Sequence, residues 1–361
     1  MNFYQSIARP LFFRMDPEDA HERASRVLEH TGRFRLARSF LDSQFTVRDA
    51  ALEVEVAGLS FPNPVGLAAG YDKDCRLTGA LPLLGFGFIE VGTLTPRPQS
   101  GNPRPRLFRI PEREALLNRM GFNNLGAPAA AERLKAAGRA AVPLGINIGM
   151  NADTPAERAH KDYADAFEAL RGLGDYFVLN VSSPNTSGLR RLQSRLALER
   201  ILTELHGRNT EKKPVFVKLA PEIDPALLAD IIPLVRAEAA GLVIANTTTG
   251  REGLPERWAT EPGGVSGAPL RERSTRRIAE AYRLSEGRIP IIGSGGVSSA
   301  EDAWKKLRAG ASLIQVYTGL VYHGPGLARA INEGLLRLLR ESGLSRVRDA
   351  VGLAHAEAAR A

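Results

Sequence analysis

Eight short apolar runs rich in β-branched residues recur along this 361-residue chain, and most are followed by a stretch with helical periodicity. The runs cover residues 64–68, 86–91, 143–148, 176–181, 214–219, 242–246, 289–293 and 312–317. Helix-like segments follow at 157–170, 194–205, 225–239, 271–284 and 300–309. Continuously apolar runs that alternate with helices belong to parallel strands covered on both faces. Eight such units predict a (β/α)8 TIM barrel over 46–345, with its active site at the C-terminal strand ends.

The residues that leave those strands are polar side chains or bare backbone. They are Ala69, Gly70, Tyr71, Asp72 and Lys73 after the first, Thr93 after the second, Asn147 after the third, and Asn180 with Ser183 after the fourth. Lys218, Asn246 with Thr247, Gly293 to Gly296, and Tyr317 to Gly319 close the circuit. A barrel interior built only for packing favours Val, Ile and Leu at such positions. The densest junction, NVSSPNTSGLR at 180–190, combines two amides and two adjacent hydroxyls, groups that can hold and deprotonate a flat polar ligand. Gly295-Gly296 and Thr318-Gly319 would expose backbone N–H groups to a phosphate, which points to a phosphorylated cofactor. Lys73 and Lys218 at the inner mouth need an anion, supplied by a flavin ring, a ligand carboxylate or both. Taken singly, Asn147 and Asn180 could cap strands, Lys218 could snorkel to solvent and Ser183 could be a turn hydroxyl. Their joint placement at one rim favours a site.

With these motifs in hand, the chain resembles the class 2, quinone-dependent dihydroorotate dehydrogenases. The resemblance runs through AAGYDKD at 68–74, VGTLTPRPQ at 91–99, NRMGFNN at 118–124, NVSSPNT at 180–186 and GGVSG at 263–267, and spans nearly the whole chain. It implies oxidation of dihydroorotate to orotate in pyrimidine synthesis. A proton would leave C5 for Ser183 as base, a hydride would leave C6 for FMN, and the electrons would pass to a membrane quinone. The implied substrate residues are Lys73, Asn118, Arg119, Met120, Gly121, Phe122, Asn180, Asn185, Asn246 and Thr247. The implied FMN residues are Ala69, Gly70, Tyr71, Asp72, Lys73, Thr93, Asn147, Asn180, Lys218, Ala245, Gly267, Gly296, Tyr317 and Thr318. Ala245 replaces a hydroxyl found in other families, leaving a backbone contact there. Thr186 and Phe122 would stand beside the proton relay, and 182–195 is long enough to be a lid.

Residues 1–45 precede the barrel. Phe3, Tyr4, Ile7, Ala8, Leu11 and Phe12 have helical spacing, broken or kinked at Pro10. After Asp16-Pro17, a good helix start, Ala20, Ala24, Val27 and Leu28 repeat it, with arginines interleaved. Two amphipathic helices this short cannot span a bilayer, which takes about 20 apolar residues, so they read as a surface membrane contact or as a pair packed on the barrel. No signal peptide fits. The resemblance makes this extension a tunnel for a membrane quinone, with Arg109 and Tyr317 at its flavin end and His21 near its helical mouth. The expected location is peripheral, on the cytoplasmic face of the cell membrane.

Composition adds bounds. The formal charge of +8 suits an anionic substrate, a cofactor phosphate and acidic lipid, but RNA equally well. The single cysteine, Cys75, excludes an internal disulfide and reads as a packing residue. In class 1 relatives and in tRNA dihydrouridine synthases a lid cysteine carries the acid or base role; here the lid position is Ser183. Six scattered histidines suggest no metal, and no dinucleotide fingerprint suggests NAD. The expected partners are therefore substrate, quinone and membrane surface, with no nucleic acid, and the chain is expected to be a monomer. The tail, 346–361, reads as a surface helix or a frayed end. An RNA-modifying flavoenzyme and a non-catalytic barrel for a phosphorylated ligand stand as alternative readings.

Overall fold

The computed structural model describes residues 4–358, so Phe3 and tail residues 359–361 lie outside the described residues. After the N-terminal helices, a small antiparallel hairpin, β1 (Val54–Val56) and β2 (Leu59–Phe61), leads into the barrel. Its strands are β3 (Val65–Leu67), β4 (Phe88–Leu94), β7 (Leu144–Ile148), β8 (Tyr176–Asn180), β9 (Val215–Leu219), β10 (Gly241–Ile244), β12 (Ile291–Ser294) and β13 (Leu313–Val316). Every neighbouring pair is parallel, and β13 pairs with β3 to close the cylinder. The insertion between β4 and β7 supplies β5 (Leu107–Ile110) and β6 (Ala115–Asn118), which join β11 (Gly264–Gly267) in a separate antiparallel sheet.

All eight expected strands form, each within two or three residues of its apolar run. The outer layer includes α4 (Ala127–Ala137), α5 (Ala159–Leu170), α6 (Arg195–His206), α7 (Pro225–Glu238), α8 (Arg271–Leu284), α9 (Ala300–Arg308) and α11 (Leu327–Glu341), with the short α10 (Thr318–His323) directly after β13. Adjacent strands interlock bulky and bare positions. A Cβ on Gly66 would lie 2.4 Å from the Phe88 ring, and one on Gly145 would lie 2.2 Å from the Tyr176 ring. Those glycines make room for aromatics that fill the close-packed wall.

At the ends, one expectation needs correction and one choice between two readings is decided. The N-terminal extension has three helical pieces rather than two: a π turn (Tyr4–Ala8) running into α1 (Arg9–Phe13), then α2 (Pro17–Thr31) and α3 (Arg35–Phe45). Pro10 sits in the first turn of α1, directly after the π turn, and the winding changes there without a break. Asp16 caps α2 through the amides of Glu18 and Asp19. The described part of the tail takes the surface-helix reading and not the frayed one. Val347 and Ala350 are wholly buried, the Gly352 amide donates to the Leu307 carbonyl, and α12 (Leu353–Ala358) brings His355 onto the Tyr282 ring.

Candidate active site

The C-terminal ends of the barrel strands surround a cavity of about 1240 Å³, open mouth included. Ala69, Gly70, Lys73, Thr93, Asn180, Ser183, Lys218, Ala245, Asn246, Thr247, Gly296, Tyr317 and Thr318 line it from the barrel loops. Asn118, Met120, Gly121 and Phe122 reach it from β6 and the loop that follows, Gly267 from the end of β11, and Asn185 from the 182–195 segment.

The amides are ordered by one connected network that begins at a carboxylate the sequence reading passed over. Glu90, in the middle of β4 and fully buried, accepts from Asn147 Nδ2 at 2.7 Å and from Gln315 Nε2 at 2.5 Å. Asn147 Oδ1 in turn accepts from the Thr93 hydroxyl, and Thr93 Oγ1 accepts from Asn180 Nδ2 at 2.9 Å. Asn246 Nδ2 then donates to both Asn180 Oδ1 and Ser182 Oγ at 3.0 Å. Apart from that chain, Asn185 Nδ2 donates to Asn118 Oδ1 at 2.9 Å. Such a chain fixes which end of each amide faces the cavity.

Two cations face the space. Lys218 is buried with its Nζ 3.6 Å from Glu90 Oε1, too long for a hydrogen bond. Lys73 has no carboxylate within 4 Å among the described residues. Burial lowers the Lys73 pKa, partly offset by the fields of Glu18 and Asp74. Glu18 itself reaches the cavity from α2. Burial pushes its carboxyl up, but hydrogen bonds from Arg106 and Arg104 prevail and hold it below the usual range. An unpaired, half-buried ammonium facing a cavity signals a missing anion.

Ser183 is buried in the rim, and its Oγ accepts from the Asn185 amide at 3.2 Å. No carboxylate or imidazole hydrogen-bonds to it among the described residues. The Thr186 hydroxyl is also buried, without a partner. The segment carrying both is tied across the rim by Arg190, which donates to the carbonyls of Ser182 and Thr247 at 3.2 Å and pairs with Glu222 at 3.1 Å.

Several residues expected at the site lie elsewhere. Asn147 is wholly buried behind Thr93 and orients the wall without lining the cavity. The Asp72 carboxylate turns back to accept from the Arg76 and Leu77 amides at 2.8 Å, closing its own loop. Arg119 points away, pairing with Glu261 and stacking over Phe108. Tyr71 faces a second, apolar cavity of about 1300 Å³ formed under the N-terminal helices. Phe12, Phe13, Leu28 and Phe45 line that tunnel, and Arg109 sits in it with its guanidinium over the Phe13 ring. Tyr317 lines both cavities, and so does His21. His21 therefore stands at the inner junction and not at the helical mouth, because α2 lies across the rim with that side chain edge-on to Tyr71 at 4.7 Å. Besides Glu90, the sequence reading missed Gln315, Ser266 and Glu18, all of which line the first cavity.

The donor set fits FMN. The buried Gln315 Oε1 has no partner, and Lys218 beside it is only loosely paired, so a flat ring with both a donor and an anionic edge meets complementary groups there. At the far side the amides of Gly296 and Val297 have no acceptor among the described residues, as a terminal phosphate requires.

Comparison with known proteins agrees with this geometry. The family model described as dihydroorotate dehydrogenase matches residues 51–339. The dihydroorotate dehydrogenase (quinone) of Gloeobacter violaceus is 50% identical over 355 residues, covering 98% of this chain and 99% of its own. That of Nostoc punctiforme is 48% identical over 370 residues, covering 98% of each. The crystal structure of an Eimeria tenella enzyme, DHODH in complex with ferulenol, matches with a TM-score of 0.87 at 36% identity, covering 94% of this chain and 96% of that one. The chain belongs to the dihydroorotate dehydrogenase family, in its quinone-dependent branch.

Proposed function

We propose that this protein oxidises dihydroorotate to orotate with FMN and delivers the electrons to a membrane quinone. The observation that carries this reading is the pair of abutting cavities. One is the more polar, set with amides and two lysines, the other is apolar and walled by the N-terminal helices, and they share His21, Leu107, Leu116 and Tyr317. A polar pyrimidine and a greasy quinone need such different solvents on either side of one redox group.

Bound FMN would supply the redox chemistry, taking a hydride from the substrate and yielding electrons to the quinone. Lys218, Thr93, Gln315 and the Gly296 turn would hold it, with Ala69, Gly70, Ala245, Gly267, Tyr317 and Thr318 closing around it. Lys73 would meet the substrate carboxylate or the flavin edge. Asn118, Asn180, Asn185, Asn246 and Thr247 would read the ureido edge, while Met120, Gly121 and Phe122 cover the substrate. Ser183 would take the C5 proton. What supports a serine in this role is its buried place on a tied-down rim, where excluded water and fixed dipoles can compensate for a weak base. The N-terminal extension would rest on the cytoplasmic face of the membrane. In its support, six of the eight exposed large apolar side chains among the described residues fall within the first 45, and no described helix is long and apolar enough to cross a bilayer.

Anaerobic addition of dihydroorotate to the yellow protein should bleach the flavin bands, and a short-chain quinone should restore them. Bleaching without quinone-driven recovery would remove the second half of the assignment, and no bleaching would remove the first.

A further inference from the structure

Among the described residues, Lys306 is the one wholly buried lysine side chain that the chemistry above leaves unused, and its ammonium end lies outside the barrel, between α8 and α9. Its Nζ donates to Ser274 Oγ at 2.5 Å, to Thr275 Oγ1 at 2.9 Å and to the Arg271 carbonyl at 3.3 Å. Burial pulls its pKa down to about 7. In its protonated form the amine has donors only, so it occupies a lone pair of Ser274 and leaves the serine proton to point elsewhere. That proton goes to the carbonyl of Gly295 at 3.4 Å.

The next carbonyl is held from the same side. Arg271 Nε donates to Gly296 O at 3.0 Å, and Arg271 Nη2 donates to Ser298 Oγ at 3.1 Å. Asp302 pairs with Arg271 at 2.8 Å and accepts from the Ser298 amide and hydroxyl at 3.0 Å. Thus α8 and α9 grip the turn after β12 by its carbonyl oxygens. In a trans peptide the C=O and the following N–H point in opposite directions, and neither of these two bonds is cis. With both carbonyls drawn outward, the amides of Gly296 and Val297 face away from α8. Both residues line the cavity, and both amides lack an acceptor among the described residues.

We propose that Arg271, Ser274 and Lys306, steadied by Asp302, are positioning residues that aim the Gly296 and Val297 amides at the terminal phosphate of the cofactor. They touch no ligand themselves. The inference rests on the FMN reading above and assigns the phosphate end of that site its outer support.

The test is flavin binding to the apoprotein, followed by quenching of flavin fluorescence, with FMN compared against riboflavin, which lacks the phosphate. In Ser274→Ala, Arg271→Lys and Lys306→Met the preference for FMN over riboflavin should fall by about tenfold or more, the scale of charge-assisted hydrogen bonds set out of line. Riboflavin affinity should stay within about twofold of wild type. A variant that merely loosens the fold would weaken both flavins together, and an unchanged preference in the folded variants would overturn the proposal. Ser274→Ala removes only a hydroxyl, so it keeps the test open should a larger change prevent folding. Equal affinity of the wild-type apoprotein for the two flavins would instead defeat the assignment of this turn as a phosphate site.

Discussion

His21 shows how position overrides intrinsic chemistry. Burial, reinforced by the Lys73 charge, holds its pKa down at about 3, against 6.5 for a free imidazole. The ring is therefore neutral at working pH, and quinone reduction should show no limb near pH 6.5 that disappears in His21→Gln. Between about 3 and 6.5 the unfolded chain binds a proton here that the native chain does not. Stability from this residue is therefore complete above 6.5 and is lost as pH falls towards 3, a slope that His21→Gln should remove from acid denaturation curves. Ser183→Ala should retain yellow flavin and near-normal orotate affinity while slowing anaerobic flavin reduction by roughly 10²- to 10⁴-fold, the worth of a general base. Wild-type reduction in stopped flow would exclude the serine. Glu90→Gln should lower stability to urea by about 3 kcal/mol, since it strands the buried Lys218. Glu90 was visible in the sequence as a lone acid inside an apolar strand, but the strand period alone could not say that it would meet Asn147, Gln315 and Lys218.

Among the elements, the barrel strands and most outer helices were legible because each carries its own periodicity and its own punctuation. The α8 range, Arg271–Leu284, coincides with its expected segment. The spacing of Leu36, Phe40 and Leu41 does not by itself announce the third N-terminal helix, because the three do not share one buried face: Leu41 lines the tunnel while Leu36 and Phe40 face outward. Leu36 is 87% exposed and Phe40 62%. Glutamate at both positions should abolish liposome co-sedimentation and raise the KM for long-chain quinone, leaving anaerobic reduction by dihydroorotate intact; unchanged sedimentation would mean that α3 has another purpose. Within the barrel, Gly145→Ala drives a methyl against the Tyr176 ring and should cost about 1–3 kcal/mol in chemical denaturation.

For the whole molecule, the order of the strand ends already located the rim and most of what lines it. The sequence could not reveal which side chains turn inward. Asp72 and Arg119 sit within matching motifs yet spend their charge on partners outside the cavity, and Tyr71 joins the apolar tunnel instead of the amide-lined site. Such choices depend on loop geometry and on contacts across 50 residues or more, as with Arg119 and Glu261. The C-terminal segment is a further case, since its small apolar residues suit a surface helix and a frayed end equally well until Val347 and Ala350 meet the outer shell.

That docking reaches further than its size suggests. The segment fastens to Leu307 and Ala309, next to the lysine that steadies the glycine turn. Trimming the chain before Val347 would unmoor the far end of α9, so a shortened protein that emerges colourless would have lost a distant brace, not a direct grip on the pigment.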